Sequence, residues 1–297
     1  MRIVICGSSG LIGSALVRAL SAEEHEVVRL VRRAPTGPGE LFWDPTAGLL
    51  ASTPLAGTDA IINLSGESIA AHRWTPGQKE RLLTSRLQAT RLLAETAAKL
   101  SPAPTVFLSA SAIGLYGDRG DEELTEDSAP GNGFLADLCR QWEGATAAVE
   151  AAGVRVVHLR SGIVQSSAGG ALAKQLPLFR YGVGGKLASG RQWLSWISLD
   201  DEIGGILHAL NHDRLRGPLN LTAPHPVTNA VYTKALAATV HRPSFAAVPG
   251  FALSIALGRE LAAELLASQR VLPAKLEATG YRFTDTEIST ALGRLLS

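Results

Sequence analysis

The chain has 297 residues, enough for one large α/β domain or for two smaller ones. Hydrophobic residues make up 46% of the sequence and charged residues 19%, a composition typical of a soluble globular enzyme with a sizeable core. The formal net charge of +1 provides no overall field to attract nucleic acid or an anionic membrane, and the two cysteines, Cys6 and Cys139, are too few for a disulfide framework.

The most informative pattern opens the chain. Arg2–Cys6 is a short β-branched run without internal charge, which predicts a buried strand. It continues into the glycine-rich Gly7–Gly13, then a helical pattern with one apolar face, then a second predicted strand, His25–Val31. Strand, glycine turn, helix and strand in this order predict a right-handed crossover unit whose turn binds a phosphate.

Each glycine of this G-x-x-G-x-x-G turn has a separate predicted role. Gly7 allows the tight turn out of the strand, Gly10 lets the backbone approach a pyrophosphate, and Gly13 lets the helix pack close to the sheet. A glycine pattern alone also fits an ordinary turn, but the strand before it and the helix after it favour dinucleotide binding. The predicted cofactor contacts in this segment are Gly7, Ser9, Gly10, Leu11, Ile12 and Gly13.

The end of the second strand predicts which dinucleotide is bound. An acidic residue there would accept a hydrogen bond from the ribose 2′-hydroxyl and repel a 2′-phosphate. This chain has Arg32 and Arg33 at that point and no acidic residue before Glu40. Because two guanidinium groups can clamp a phosphate and stack on adenine, the pair favours NADP(H) over NAD(H). The alternative is a solvated basic pair on a loop.

Three later predicted strands, Asp59–Leu64, Thr105–Ser111 and Val154–Arg160, end beside the same crevice, because the carboxyl ends of parallel strands face the ligand in such sheets. The helix that follows Trp74 carries Arg86, which either reaches the cofactor phosphates or is solvated. The cofactor contacts expected from these segments are Leu64, Ser65, Gly66, Glu67, Arg86, Ser161, Gly162 and Ile163.

Three other segments carry further predictions. Asp118–Gly133 is an acidic, glycine-rich loop, long enough for a functional lid. Phe134–Ala152 predicts a single helix. The apolar helix over Phe251–Leu266 either enters the core or forms the face of a homodimer, and the sequence leaves both open.

After the strand Val154–Arg160 the regular alternation of strand and helix stops. Glycine-rich stretches within 169–186 predict irregular structure, Trp193–Asp201 predicts the start of another helix, and a late strand follows. We therefore expect an α/β fold in which residues 1–163 form a Rossmann-type NADP-binding domain with a doubly wound parallel sheet. Residues 164–297 are expected to form a smaller, mostly helical C-terminal substrate lobe, with some late segments returning to the main sheet.

These motifs together resemble the extended and atypical short-chain dehydrogenase/reductase superfamily. They are most similar to its "epimerase family" subgroup of nucleoside-diphosphate-sugar epimerase-like proteins, and the resemblance spans nearly the whole chain. The segments that carry it are Gly7–Gly13, Phe42–Asp44, Asn63–Glu67, Ser85–Arg86, Ser109–Gly117, Phe134–Glu143, Leu159–Ile163, Trp196–Ile197, Asp200–Asp201, Arg270–Leu276 and Gly280–Phe283.

The resemblance implies hydride transfer at a nicotinamide. In that chemistry a Tyr acts as acid/base, a Lys four residues later lowers its pKa, and a Ser polarises the substrate carbonyl. Ser109 and Ser111 match the Ser, whereas the other two positions have lost their proton-transferring side chains. The Tyr position falls on Phe134 or Leu135 and the Lys position on Leu138 or Cys139.

The missing pair leaves three alternatives. In the first, another side chain acts as the acid/base. Tyr116 is the first candidate because a phenol retains the same chemistry, and Glu67 and Asp118 follow. Cys139 acts as a nucleophile, which is disfavoured for a helical Cys without a basic partner in sequence. Otherwise the protein binds NADP(H) without turnover. The sequence thus predicts Tyr116, Ser109 and Ser111 as the catalytic residues.

Two functions follow from these alternatives. The first is an NADP(H)-dependent oxidoreductase or epimerase that acts on a small carbonyl or nucleotide-sugar-like substrate. The second is a regulatory or binding protein that senses NADP(H). We expect a small-molecule partner, no nucleic acid or membrane partner, and no metal site, since no histidine or cysteine cluster occurs. The opening apolar stretch is too short for a signal peptide, so a cytoplasmic location is expected.

Overall fold

The structure is a computed structural model that describes residues 1–244 and 246–297. Its strands are β1 (Arg2–Cys6), β2 (Glu26–Val31), β3 (Glu40–Asp44), β4 (Leu49–Leu50), β5 (Ala60–Asn63), β6 (Val106–Ala112), β7 (Glu123–Leu124), β8 (Arg155–Ser161), β9 (Ile163–Gln165), β10 (Gly185–Leu187), β11 (Trp193–Leu194), β12 (Trp196–Ser198), β13 (Gly217–Leu221), β14 (Val227–Thr228), β15 (Ala246–Val248) and β16 (Arg270–Val271). Its helices are α1 (Leu11–Ala22), α2 (Pro76–Ala97), α3 (Phe134–Gly144), α4 (Ala147–Ala151), α5 (Gly170–Arg180), α6 (Leu199–Asn211), α7 (Asn229–Thr239), α8 (Gly250–Leu257), α9 (Arg259–Leu266), α10 (Ala274–Ala278) and α11 (Ile288–Leu296).

The large sheet has eight strands in the order β13-β8-β6-β5-β1-β2-β3-β4. Neighbouring strands are parallel throughout, except for the antiparallel pair of β3 and β4. The chain begins at the centre with β1, adds β2 and β3 on one side, and then returns to β5, β6 and β8 on the other. This reversal between β1 and β5 is the topological switch point at which such sheets open a ligand crevice. The predicted doubly wound parallel sheet is confirmed.

Helices cover both faces of this sheet and fix the positions of the strand ends. On one face α1 and α6 pack against the strands through side chains such as Leu16, Leu20 and Ile206. On the other face α2 and α4 do so through Leu93 and Val149. Because a fully buried Leu, Ile or Val side chain contributes about 1.5–3 kcal/mol, these two apolar layers hold the crevice walls in place.

The C-terminal part is organised by a third apolar cluster, which joins α5, β12, α7 and α11 through Leu172, Trp196, Tyr232 and Leu292. Strand β13 leaves this part and pairs with β8 at the edge of the large sheet. Strand β7 pairs with β16, so the segment 118–133, expected to be a lid, is anchored to the C-terminal part by backbone hydrogen bonds.

The prediction of irregular structure within 169–186 is wrong for most of that stretch. Residues Gly170–Arg180 form helix α5, with Pro177 inside it. The helix buries Leu172, Leu176 and Phe179 in the third apolar cluster. This tertiary packing outweighs the low helix propensity of glycine and proline, which the sequence pattern alone could not weigh.

Two other boundaries differ from expectation. The stretch Trp193–Asp201 forms the short strands β11 and β12 before α6 begins at Leu199, where the Ser198 hydroxyl accepts a hydrogen bond from the Asp201 amide at 3.2 Å. The single helix predicted over Phe134–Ala152 is divided into α3 and α4. At the break the Thr146 hydroxyl donates to the Glu143 carbonyl at 2.7 Å, and the Thr146 amide donates to the same carbonyl at 3.2 Å.

The apolar segment Phe251–Leu266 forms two helices of different character. In α8 the side chains of Phe251 and Ile255 are about 70% exposed, at 71% and 70%, and the helix buries no residue. In α9, Leu261 and Ala262 are buried. The segment therefore contributes to the core only through its second half. Within the described ranges, every helix is too short or too polar to cross a bilayer.

Candidate functional site

The glycine turn between β1 and α1 packs tightly on two sides and is open on the third. Gly7 has a φ of +73°, and a Cβ atom added there would lie 2.4 Å from the Leu64 carbonyl oxygen. A Cβ atom at Gly13 would lie 2.2 Å from the Gly7 carbonyl oxygen. At Gly10 it would meet only that same oxygen, at 3.4 Å. The close contacts at Gly7 and Gly13 show that a side chain fits at neither position, whereas Gly10 has room beside it, and its approach to a pyrophosphate stays a prediction.

The N-terminus of α1 is left available for an anion. Gly10 occupies the position before the helix, and no side chain caps the first turn. Ser9 and Gly10 are exposed, whereas Leu11 and Ile12 are half-buried: Ile12 packs against the apolar layer on this face of the sheet, and Leu11 lies beside Gly169 and Gly170. Backbone amides of an uncapped helix N-terminus point along the positive end of the helix dipole, so this turn can hold a phosphate without any charged side chain.

The two arginines at the end of β2 have different surroundings. Arg33 donates to both carboxylate oxygens of Glu40, from Nη1 to Oε2 and from Nη2 to Oε1, each at 2.7 Å. Arg29 and the amide of Thr36 also donate to Glu40, whose side chain is 3% exposed. The hydrogen bonds from Arg33, first, and from Thr36 hold the pKa of Glu40 well below its usual range. Arg32 is exposed and forms no hydrogen bond or ion pair within the described residues.

The segment 64–67, which follows β5, lies against the glycine turn, and a hydrogen bond from Arg86 holds it in place. The Arg86 guanidinium donates from Nη2 to the Glu67 carbonyl at 2.9 Å and from Nη1 to the Leu82 carbonyl at 3.0 Å, and it stacks over the Trp142 ring. With 7% of its surface exposed, Arg86 offers little to a ligand. This burial contradicts the alternative of a solvated side chain, and the guanidinium holds the loop. The contact with the cofactor phosphates stays a prediction.

Leu64, Ser65, Gly66 and Glu67 line this side of the crevice. The Ser65 amide donates to the Asn63 side chain at 3.2 Å, which fixes the turn out of the strand. The Glu67 carboxylate accepts from Gln78 Nε2 at 2.8 Å, so it is held by α2. Gly66 is exposed.

At the end of β6 the two candidate serines are both buried. Ser109 has no exposed surface and accepts a long contact of 3.5 Å from Asn63 Nδ2. Ser111 is 5% exposed, and its hydroxyl donates to Glu143 Oε1 at 2.7 Å. Arg160 grips the same carboxylate, from Nε to Oε1 at 2.8 Å and from Nη2 to Oε2 at 2.9 Å. Burial raises the pKa of Glu143, but hydrogen bonds and charge from Arg160 more than offset it, so the net pKa lies below its ordinary value.

Tyr116 lies in the interior of the protein and not at the crevice surface. Its ring is fully buried, and its hydroxyl donates to Asn220 Oδ1 at 2.8 Å and accepts from Arg160 Nη1 at 2.9 Å. Burial raises the pKa of this phenol, with the charge of Arg160 opposing the shift. A catalytic acid must touch its substrate, so in this conformation Tyr116 cannot take the role expected from the sequence.

The positions of the missing Tyr and Lys are closed by apolar packing. Leu135 is half-buried against Gly114, and Cys139 is 1% exposed. Burial raises the pKa of the Cys139 thiol to about 12, so it carries no thiolate at neutral pH. Asp118, another candidate acid, accepts hydrogen bonds from the amides of Ser268 and Gly120 and is thereby tied to the C-terminal part.

Ser161, Gly162 and Ile163 form the far wall of the crevice, at the end of β8. The Gly162 amide donates to the Leu221 carbonyl at 2.9 Å, and a Cβ atom at Gly162 would lie 2.6 Å from the Ser195 carbonyl oxygen. The Ser161 hydroxyl is 2.5 Å from Oε1 of Glu202, a fully buried side chain of α6.

Sequence reasoning missed the carboxyl groups behind these residues. Glu40 holds Arg33, Glu143 holds Ser111, and Glu202 holds Ser161. The one available signal was an acidic residue at a core-facing position, since Glu40 begins a strand and Glu202 precedes the buried Ile203.

Comparisons with known proteins agree with this architecture. The sequence profile of the NAD dependent epimerase/dehydratase family matches residues 3–221, and that of a domain of unknown function, DUF1731, matches residues 248–295. An epimerase family protein of Mycobacterium tuberculosis is 44% identical over 98% of this chain and 96% of its own length. Epimerase family protein SDR39U1 of Homo sapiens is 36% identical over 100% of both chains.

Solved structures agree as well. The crystal structure of human SDR39U1 (isoform 2) with NADPH has a TM-score of 0.90, with 34% identity and 99% of both chains covered. That of a nucleoside-diphosphate sugar epimerase from Corynebacterium glutamicum has a TM-score of 0.84 at 40% identity, and the match covers 100% of this chain and 58% of the other. The resemblance inferred from the motifs is confirmed, and the chain belongs to the NAD-dependent epimerase/dehydratase family.

Proposed function

We propose that this protein binds NADP(H) in the crevice between β1, β5 and β8. The observation that carries the proposal is the turn at Gly10. The backbone there has room for a ligand, and the N-terminus of α1 that follows has no side-chain cap. Arg32 and Arg33 lie at the end of the next strand, β2. The presence of NADPH in the structure of human SDR39U1 supports it.

The residues of the crevice have distinct roles in this proposal. The amides around Gly10 hold the pyrophosphate. Arg32 binds the 2′-phosphate, since its guanidinium has no other partner within the described residues. Arg33 offers the flat face of its guanidinium for stacking on the adenine, and its two hydrogen bonds to Glu40 fix the orientation of that face. The segment 64–67 and the end of β8 flank the remainder of the nucleotide, and Arg86 acts on it only through the loop that it supports.

The first candidate activity is that of an oxidoreductase or epimerase acting on a small carbonyl or nucleotide-sugar-like substrate. A bound nicotinamide supplies hydride transfer. Membership of the family and the nucleoside-diphosphate sugar epimerase of Corynebacterium glutamicum support this candidate. Within the chain, Ser111 is the candidate substrate contact, because it lies one residue before the end of β6 and retains 5% exposure, whereas Ser109 has none.

The second candidate is a protein that senses NADP(H) without turnover. Leu135 and Cys139 at the acid/base positions and the buried Tyr116 favour it, because none of them can exchange a proton with a ligand at neutral pH.

Titration of the purified protein with NADPH and NADH, followed by nucleotide fluorescence, tests the binding proposal. We expect NADPH to bind at least about tenfold more tightly, the gain from one charge-assisted phosphate contact. Equal affinities, or no binding, would remove the proposal. A panel of carbonyl compounds and nucleotide sugars, followed by NADPH absorbance, then separates the two candidates.

A further inference from the structure

Ser161 and Glu202 form an isolated polar pair at the far wall of the crevice. Ser161 is the last residue of β8 and is half-buried, whereas Glu202 lies in the first turn of α6 with 1% of its surface exposed. The Ser161 hydroxyl oxygen and Glu202 Oε1 are 2.5 Å apart. The second carboxyl oxygen, Oε2, has no hydrogen-bond partner within the described residues.

The charged groups that the described residues present on α6 and on the elements packed against it have other partners. On β8, Arg155 donates to the carbonyls of Ala209 and Leu210 at the other end of the helix. On the same helix, Asp200 is paired with Arg294 at 2.6 Å, and Asp201 accepts from the amides of the Thr284–Asp285 segment. The Tyr281 hydroxyl donates to Asp201 at 3.1 Å, and His208 contacts Thr279. The elements packed against α6 present the apolar side chains Leu16, Leu20, Leu108, Leu159, Ile197, Leu219, Leu221 and Leu276.

If Glu202 were ionised here, its negative charge would have no cation beside it. Only one of its two oxygens, Oε1, would accept a hydrogen bond. A neutral acid removes the charge and uses its hydrogen for the one partner within reach, Ser161 Oγ. When Glu202 donates to that oxygen, the hydroxyl hydrogen of Ser161 is free to point away from Glu202. Burial also raises the pKa of Glu202 to about 8, and no charged side chain contributes to that shift.

We propose that Glu202 is a positioning residue which, as a neutral acid, donates to Ser161 and so makes the Ser161 hydroxyl a hydrogen-bond donor to an acceptor atom of the bound nucleotide. The proposal rests on the proposed NADP(H) site. When Glu202 loses its proton, the Ser161 hydrogen turns back to the carboxylate, and Ser161 can only accept. Nucleotide affinity should therefore fall as pH rises through the range in which Glu202 ionises.

The test compares wild type, E202Q and S161A, with the NADPH dissociation constant measured from about pH 6 to about pH 9.5, a range that spans a carboxyl group raised this far by burial. We expect the wild-type constant to rise about 3- to 10-fold over this range, the loss of one hydrogen bond. In E202Q the side-chain amide donates to Ser161 at every pH, so that rise should vanish while the low-pH affinity is kept. S161A should bind as weakly at low pH as wild type does at high pH.

Infrared spectra of the nucleotide-free wild type and E202Q report the protonation state directly. A carboxylic-acid carbonyl band that is present near neutral pH, lost at high pH and absent from E202Q is expected. If the band is absent from the wild type, or if E202Q retains the wild-type pH profile, the inference is overturned. Failure of wild type to bind NADPH at low pH overturns the proposed function instead, because the band is read without nucleotide.

Discussion

Two serine–carboxyl pairs lie at the ends of the neighbouring strands β6 and β8, on opposite faces of the sheet, and their carboxyl groups differ in charge. In the parallel register of β6 and β8, Ser111 lies beside Arg160 and Ala112 lies beside Ser161. Because successive side chains of a strand point to opposite faces, the two serines project to opposite faces of the sheet. Ser111 meets Glu143 from α3, and Ser161 meets Glu202 from α6. The difference between the two lies in what else reaches each carboxyl group.

Arg160 supplies that difference. It bonds both oxygens of Glu143, which keeps this carboxylate ionised, so Ser111 must donate its hydrogen to it and can offer a ligand only its lone pairs. Glu202 has no cation, stays neutral and leaves Ser161 as a donor. Ser111, near the end of β6, is therefore a hydrogen-bond acceptor and Ser161, at the end of β8, is a donor, and the guanidinium of Arg160 decides this difference.

Removing Arg160 should give the largest effect, because it leaves the Glu143 carboxylate with Ser111 as its hydrogen-bond partner and with His158 Nδ1 at 3.9 Å, but without a guanidinium. In R160M, Glu143 loses both of its charge-assisted hydrogen bonds from the guanidinium, and Tyr116 loses a donor. We expect a loss of about 3–5 kcal/mol in unfolding free energy, measured by urea denaturation at neutral pH, the cost of breaking a buried ion pair from one side.

The double variant R160M/E143Q is the control for that prediction. It removes the uncompensated charge and should recover a substantial part of the stability. A single variant R160M as stable as wild type, or a double variant less stable than R160M, would mean that Arg160 does not set the state of Glu143.

The pH dependence of the unfolding free energy tests the second pair, Ser161 and Glu202. The folded-state pKa of Glu202, about 8, lies above the unfolded value of 4.5, so between these values the folded protein holds a proton that the unfolded chain has released. The protonated side chain therefore stabilises the folded protein fully below the unfolded pKa. This stabilisation falls by about 1.4 kcal/mol per pH unit between the two pKa values and is lost once the pH has risen through the folded pKa.

Wild type should therefore lose about 2–3 kcal/mol relative to E202Q between roughly pH 6 and pH 8. Denaturation of both proteins in the same buffers measures this difference and cancels the titration of all other groups. A constant difference across the range would show that Glu202 does not titrate there.

Arg32 and Arg33 extend the comparison to a third carboxyl group, Glu40. Because Arg33 is committed to Glu40 and Arg32 is not, R32A should weaken NADPH binding by about 1.5–2 kcal/mol, roughly 10- to 30-fold, with little change for NADH. R33A should weaken both nucleotides to a similar, smaller extent, since it removes a surface and not the phosphate contact. Fluorescence titration with each nucleotide distinguishes the two patterns, and the reverse assignment would contradict the structure.

Local sequence patterns predicted the framework of this site but not its polar contacts. The glycine turn and the strand ends follow from short-range hydrophobic patterning and backbone geometry, which the sequence displays directly. The pairs formed by Glu143 and Glu202 join residues 32 and 41 positions apart, and they exist because α3 packs against β6 and α6 packs against β8. The burial of Tyr116 likewise depends on Asn220, which arrives with a strand that returns from the C-terminal part.

Tyr116 gives the smallest expected effect and bears on the first pair, because its hydroxyl takes the remaining Arg160 hydrogen bond. Y116F leaves Asn220 Oδ1 without a donor and Arg160 Nη1 without an acceptor, so we expect a loss of about 1 kcal/mol in unfolding free energy. NADPH affinity should be unchanged, since the phenol has no exposed surface, and so should any turnover found on a carbonyl panel. If Y116F abolished turnover but kept both stability and NADPH affinity, the phenol would have to reach the substrate in a conformation that opens the core around it. The role of catalytic acid would then return to Tyr116, and Arg160 would be shared between structure and chemistry.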